Sequence, residues 1–410
     1  MAAPTPYAVI STTEDMFSFA GARKSVDEAR RIYTLYEAED HLQWITGPGH
    51  HGHLEPIEPQ IIGFFLHWLE QRTETPAVEV PPPLPAKDLR CTSTGQVANS
   101  LGGATVFTLS RERPPAAPVN KPIENSRQLA RFRQQLAETV RATANIIVRA
   151  GNENPPAEAI STDQRTGYSV QTIRLADSPG INLTATLGIP DAPGPKPAIL
   201  LLTPDPPTSA DLDRLAAAGN IVFVPQLPPG PTDLEGQKST LLGPFYMASL
   251  RASLIGKTLV GLRVDQVISA VDYLSSRPDV DASRLSAQGV GPMGIVLLHA
   301  ALLDPRIRSI TLDRTLVSYR MAVDDPAPRD LAQSVIPGVL RHYDLDDLVM
   351  AIGVPVSIVD PVDAEGRSVS SGTFRQQYAW VFASNSNLHQ PDRLRIVESG
   401  PVPSAASANP

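Results

Sequence analysis

The chain has 410 residues, 41 of them proline, one cysteine (Cys91) and a formal net charge of −8. That length suits two or three ordinary domains, and 42% hydrophobic residues can build a sizeable core, so global disorder is excluded. A single cysteine excludes an internal disulfide framework and any Cys-based zinc cluster. The acidic balance argues against a broad nucleic-acid or anionic-membrane surface.

The first residues, MAAPTPYAVISTTEDMF, have neither a basic n-region nor an apolar h-region, so no secretory signal is read there. The longest apolar run, Ile61–Leu69, is far too short to span a bilayer. As written, the chain reads as cytoplasmic; if an upstream portion is missing, it reads as exported. YAVISTTED (7–15) predicts a strand ending in acids, SVDEARRIYTLYEAED (25–40) a helix and HLQWIT (41–46) a second strand. A glycine-histidine loop, GPGHHGH (47–53), follows, and PQIIGFFLHWLEQR (59–72) predicts an amphipathic helix.

Five prolines between Pro76 and Pro85 predict an extended linker and a domain boundary. Pro114, Pro115, Pro118 and Pro122 precede a helical pattern over about 125–150, with Leu129, Phe132, Leu136, Val140 and Ile147 near helical spacing. From residue 168 the pattern becomes regular. YSVQTIRL and INLTATLGI predict adjacent strands joined by a Ser-Pro-Gly turn. PAILLLTP, IVFVPQ, RLSAQG, IRSITLD, VPVSIVDP and QYAWVFAS predict further strands. Helices are predicted at SADLDRLAAAGN, LVGLRVDQVISAVDYLSSR and PMGIVLLHAALLD. This alternation means βαβ units and a mostly parallel sheet with helices on both faces.

These runs resemble the bacterial acetyl xylan esterase-like proteins of the α/β-hydrolase superfamily, in a form with two hydrolase modules. Residues 1–75 resemble the C-terminal quarter of a first module, and 76–164 its Pro-rich linker, hairpin and helix connector, including Asp88–Arg113. Residues 165–410 resemble a second module, in which RPDVDASRLSAQG leads to the nucleophile elbow and LVSYRMAVDD and VIPGVLRHYDLDDL follow it. The resemblance implies an α/β-hydrolase fold and hydrolysis of carboxylic esters, such as acetyl groups on xylan. It implies no cofactor and no metal. The implied partner is a carbohydrate ester or an N-terminal hydrolase fragment, with no nucleic acid and no membrane.

In that fold a serine stands at the centre of G-x-S-x-G, and an acid and a histidine follow it in the chain. Serine is a weak nucleophile until histidine takes its proton, and the acid fixes the imidazole tautomer. The second module's elbow reads Gly289-Val290-Gly291-Pro292-Met293-Gly294, with Gly291 at the serine position. Pro292 lacks the N–H that normally follows the nucleophile, and Thr203-Pro204-Asp205-Pro206-Pro207 is equally poor in donors. Asp360 or Asp363 matches the acid and His389 the base. The expectation is a degenerate module with little or no esterase activity.

The first segment shows the complementary pattern. Asp15 (or Glu14) matches the acid and His51 the base, but a serine would lie earlier in the chain, as though the chain starts late or is half of a split esterase. His50, His51 and His53 offer nitrogen ligands without a matching partner set. The glycines at 289, 291 and 294 also fit a dinucleotide fingerprint, with Asp313 about 20 residues on, although Pro292 removes a phosphate-facing N–H. Ser249, Ser253 and Ser286 sit on no glycine elbow. Cys91 reads as a buried or inert thiol, and the arginines of the 125–150 helix as a solvated face.

Overall fold

The structure is a computed structural model that describes residues 2–74, 82–112, 120–147, 155–178, 181–204, 209–227, 243–329 and 331–397. Much of the Pro76–Pro85 run, Pro114–Pro118 and residues 205–207 lie outside the described residues. The chain divides into two compact units, one of residues 1–103 and the other beginning at residue 104.

The first unit contains β1 (Tyr7–Thr12), α1 (Phe19–Leu35), β2 (Leu42–Gly47), α2 (Glu58–Glu70) and α3 (Val97–Leu101). β1 and β2 pair in parallel from Tyr7↔Leu42 to Thr12↔Gly47, with α1 as the crossover. Ser18 caps α1 by accepting from the Gly21 N–H at 3.1 Å. One stripe of α1, Val26 and Tyr33, is buried with Ala38 and Leu42. Gly47 ends β2 because Ile57 packs against it: a Cβ there would stand 2.6 Å from the Ile57 side chain. Both strands therefore end at one edge of the sheet, and the turns after them carry the acids and the histidines.

The second unit begins with α4 (Val106–Glu112) and α5 (Ser126–Ala144), then β3 (Ala157–Arg165), β4 (Tyr168–Ser178), β5 (Ile181–Pro190), β6 (Lys196–Leu202), α6 (Ser209–Ala217) and β7 (Ile221–Gln226). Next come α7 (Tyr246–Leu254), α8 (Leu259–Ser276), β8 (Val280–Val290), α9 (Pro292–Leu303), β9 (Ser309–Asp313), α10 (Tyr319–Asp324) and α11 (Leu345–Ala351). β10 (Val356–Val359), α12 (Ser371–Gln377), α13 (Ala379–Asn387) and β11 (Leu394–Val397) complete it. Nine strands form one sheet in the order β11-β10-β9-β8-β6-β7-β5-β4-β3. β3, β4 and β5 form an antiparallel meander, β5 pairs antiparallel with β7, and the remaining pairings are parallel.

The core explains the apolar runs. α8 and α9 are buried along most of their length, and β6, β7 and β8 contribute Leu200, Leu202, Phe223 and Leu285 to the same region. A strand buried on both faces reads as a continuous apolar run rather than an alternation, as PAILLL does. α5 belongs to this core through Leu136, Val140 and Ala144. Its last carbonyls meet the start of α8, where the Thr258 hydroxyl donates to the Ala144 carbonyl at 2.9 Å.

Two expectations differ from the structure. QYAWVFAS is helical, spanning the end of α12 and most of α13. Phe374, Tyr378 and Val381 fall at helical spacing and are buried together, with the first two rings stacked at 4.1 Å. A short apolar run cannot be assigned by periodicity alone. The last strand is instead the four-residue LRIV of β11. The structure also adds β3, which forms a hairpin with β4 through a tight turn at Gly167 (φ 85°). Residues 97–112 hold the short helices α3 and α4, and α5 packs in the core of the sheet-bearing unit.

Candidate functional site

β8 leads into α9 through Gly291, whose backbone lies at φ 55°, ψ −127°, a conformation costly for any residue with a Cβ. The turn is held by the Gly291 N–H donating to the Asp313 carbonyl at 2.7 Å and the Gly294 N–H donating to the Gly291 carbonyl at 3.0 Å. The flanking glycines are required by packing. A Cβ on Gly289 would stand 2.7 Å from the Gly294 Cα, and one on Gly294 would stand 1.9 Å from the Thr315 hydroxyl. A Cβ on Gly291 would meet nothing within 4 Å. The glycine spacing thus serves a strand and helix in close contact, and the middle position faces open space where a nucleophile would project. Pro292 is the first residue of α9, a position suited to proline but one that removes the N–H.

A cavity of about 270 Å³ opens at this turn, lined by Pro204, Gly291, Pro292, Arg314, Arg329 and Asp363 among others. Asp363 accepts from Arg367 Nε at 2.8 Å and from the N–H groups of Glu365 and Arg367 at 2.9 Å. Partial burial works to raise its pKa, but these bonds outweigh it and hold the carboxyl below the ordinary value. Asp360 directly follows β10 at φ 43° and lies near Asp313, whose pKa burial raises despite the opposing charge of Arg314. Gly291 and Asp363 therefore share one cavity at the C-terminal edge of the parallel strands.

His389 is elsewhere. It precedes β11, so it stands at the N-terminal edge of the sheet, where it lines a separate cleft with Gly353, Arg393 and Arg395. Among the described residues, His389 and Gly291 therefore line different cavities. Ser286 donates to the Ala198 carbonyl within the sheet and Ser253 to the Ser249 carbonyl within α7, so none of these serines stands at the turn. Cys91 is exposed rather than buried. Arg314 and Arg329 escaped the sequence reading because a lone arginine after a strand or in a loop has no distinguishing spacing.

The first unit does assemble its predicted pair. Asp15 lies in the turn after β1 and His51 in the loop after β2. His51 Nδ1 stands 3.1 and 3.0 Å from the two Asp15 carboxylate oxygens. The Phe17 N–H (2.9 Å) and the Thr12 hydroxyl (3.1 Å) also donate to Asp15. The Phe17 N–H is the main cause of a lowered Asp15 pKa, with His51 and Thr12 adding to it against partial burial. The Phe17 ring meets the His51 ring edge to face at 5.6 Å. Glu14, the alternative acid, pairs instead with His50 at 3.4 Å. His53 approaches the Pro48 carbonyl and Glu55.

The strand order, the strained turn between β8 and α9 and the acid-bearing turn after β10 define the second unit as an α/β-hydrolase fold. No protein-family model and no curated protein matches the sequence. Among solved structures, the chain is similar to a Bacteroides fragilis protein assigned as an acetyl xylan esterase. The TM-score is 0.56 at 16% identity, covering 72% of this chain and 81% of the other. It is also similar to an acetyl xylan esterase from a Thermoanaerobacterium species (TM-score 0.45, 15% identity, 73% and 95% covered). A glucuronoyl esterase from Solibacter usitatus gives a TM-score of 0.44 at 14% identity, with 66% and 87% covered. The first of these likenesses carries the fold.

Proposed function

We propose that the second unit is an acetyl xylan esterase-like hydrolase module that retains the scaffold and substrate cavity but performs no acyl transfer. The observation that carries this reading is the Gly291 turn. It keeps the backbone strain of a nucleophile elbow and the space for a side chain, yet offers no hydroxyl, and Pro292 offers no oxyanion donor. Such a module binds a carbohydrate ester or a protein surface without turning it over. The test is hydrolysis of p-nitrophenyl acetate, combined with labelling by a fluorophosphonate probe. The expected result is no turnover above buffer and no labelled serine; robust turnover with one labelled serine overturns the reading.

A second reading is favoured by the Asp15–His51 pair. Its geometry is that of an acid orienting a general base, with Nδ1 engaged by the carboxylate and Nε2 left to face a reacting group. We propose that this pair serves a serine carried by another polypeptide or segment that supplies the remaining strands of a first module. Addition of a hydrolase fragment bearing G-x-S-x-G is then expected to produce ester hydrolysis that His51→Ala abolishes. Hydrolysis unchanged in that variant would remove the pair from catalysis.

A further inference from the structure

The cleft at the N-terminal edge of the second unit's sheet has an unusual electrostatic floor. Arg393, in the turn before β11, is 8% exposed, and its Nη2 donates to the Met350 carbonyl at 2.6 Å and to the Ile352 carbonyl. Arg133, from α5, donates through Nε to the Ala351 carbonyl at 2.6 Å. Two guanidiniums therefore converge on three consecutive carbonyls at the end of α11. Gly353 makes this possible, because a Cβ there would stand 2.8 Å from Arg133 Nη2.

The charges at this point do not balance. A helix C-terminus supplies only about half a negative charge, and that within its last turn, against two full positive charges. Among the described residues the partners of both guanidiniums are backbone carbonyls, and Arg393 Nε is buried without a hydrogen-bond partner. Burial, with the nearby Arg133 charge, lowers the Arg393 pKa to about 10. Buried guanidiniums are ordinarily paired, since leaving one uncompensated is costly.

The space beside them is large enough for a ligand. A cleft of about 540 Å³ is lined by Arg393, Arg395, His389, Ser357, Gln390 and Gly353 among others. At its rim Arg395 reaches Asp392 at 3.5 Å, a pair exposed enough to open at little cost. Apolar walls come from Val354, Pro355 and Pro391. We propose that this cleft binds a small molecule through a phosphoryl or carboxylate oxyanion, with Arg393 and Arg395 as donors and Arg133 as the supporting charge. The arginine fork suits such oxygens, and the site lies at the opposite sheet edge from Gly291, so it is separate from any ester-binding cavity.

The test is calorimetric titration of the full chain with inorganic phosphate and, in a second arm, with glucuronate, at fixed ionic strength and with chloride as control. Saturable binding of at least one is expected, and the two arms identify which oxyanion fits. Arg395→Gln, a change at an exposed position, is expected to weaken it about tenfold, and Arg393→Lys by at least as much. Arg314→Gln, at the other edge, is expected to leave it unchanged. Binding of neither anion overturns the proposal, as does equal binding in wild type and Arg395→Gln, or a loss in Arg314→Gln instead. Because Arg395 takes no part in capping α11, its variant separates ligand binding from a purely structural role for Arg393.

Discussion

His51 Nδ1 meets the Asp15 carboxylate at 3.0 Å across two neighbouring parallel strands, although 36 residues separate them in the chain. The carboxylate accepts, so the neutral imidazole carries its proton on Nδ1 and leaves Nε2 as a lone pair. Nitrogen-15 NMR is expected to show that tautomer dominating in the wild type. Asp15→Ala is expected to move His51 to a mixture of tautomers. An unchanged spectrum in the variant would detach the histidine from its acid.

The Gly291 turn predicts an order of stability losses. Gly291→Ala meets no atom, so it costs only backbone strain, about 1–3 kcal/mol. Gly289→Ala drives a Cβ into the backbone of Gly294 and costs more, since strand and helix must separate. Urea denaturation of the two variants checks the ranking. A larger loss at 291 would mean that the turn is not the open, strained elbow described.

Three aspartates crowd the start of α11 and give the second unit a pH dependence. Burial, aided by Asp344, raises the Asp346 pKa to about 6, even though Trp380 Nε1 donates to it at 2.6 Å. Burial and the Asp346 charge raise that of Asp347 to about 7. Above pH ~4 the unfolded chain releases these protons while the folded chain keeps them, so this contribution falls as pH rises to about 7. Asp347→Asn is expected to flatten that fall by about 1–3 kcal/mol between pH 5 and 8, read from denaturation midpoints. A difference between variant and wild type that does not grow with pH in that window would contradict it.

His299 works in the opposite direction. Burial lowers its pKa to about 4, against the Ile295 carbonyl that favours the protonated ring. Its contribution is fully present above pH ~6.5 and is lost as pH falls towards 4. Nδ1 donates to Ile295 at 2.7 Å, so Nε2 accepts from the Tyr343 hydroxyl at 3.0 Å. Tyr343→Phe strands that acceptor in the core, and a loss of about 1–3 kcal/mol at pH 7 is expected in thermal or urea unfolding.

Much of the fold was legible in the residues. PAILLL, IVFV and, but for His299, PMGIVLLHAALL are apolar because these elements are largely buried, and that signal survives without any knowledge of neighbours. The missing hydroxyl at Gly291 and missing N–H at Pro292 were equally legible, since glycine and proline lack those groups in any conformation. Residues 377–384 and β11 were not. Four residues are too few for a period, and QYAWVFAS offers apolar side chains that suit either a strand or a helix face.

Sequence alone therefore determined which chemistry each position can offer: no hydroxyl at Gly291, no N–H at Pro292, an acid at Asp15 and an imidazole at His51. Only the tertiary structure decided which of these groups meet. Asp15 and His51 come together because parallel strands place both following turns at one edge. His389 is kept from Gly291 because it precedes its strand instead of following it. The convergence of Arg133 and Arg393 on neighbouring carbonyls was likewise invisible, since it depends on α5 docking beside the end of α11 more than 200 residues away. Local sequence carries side-chain chemistry and periodicity, while the direction of a strand and the edge of a sheet are properties of the whole fold.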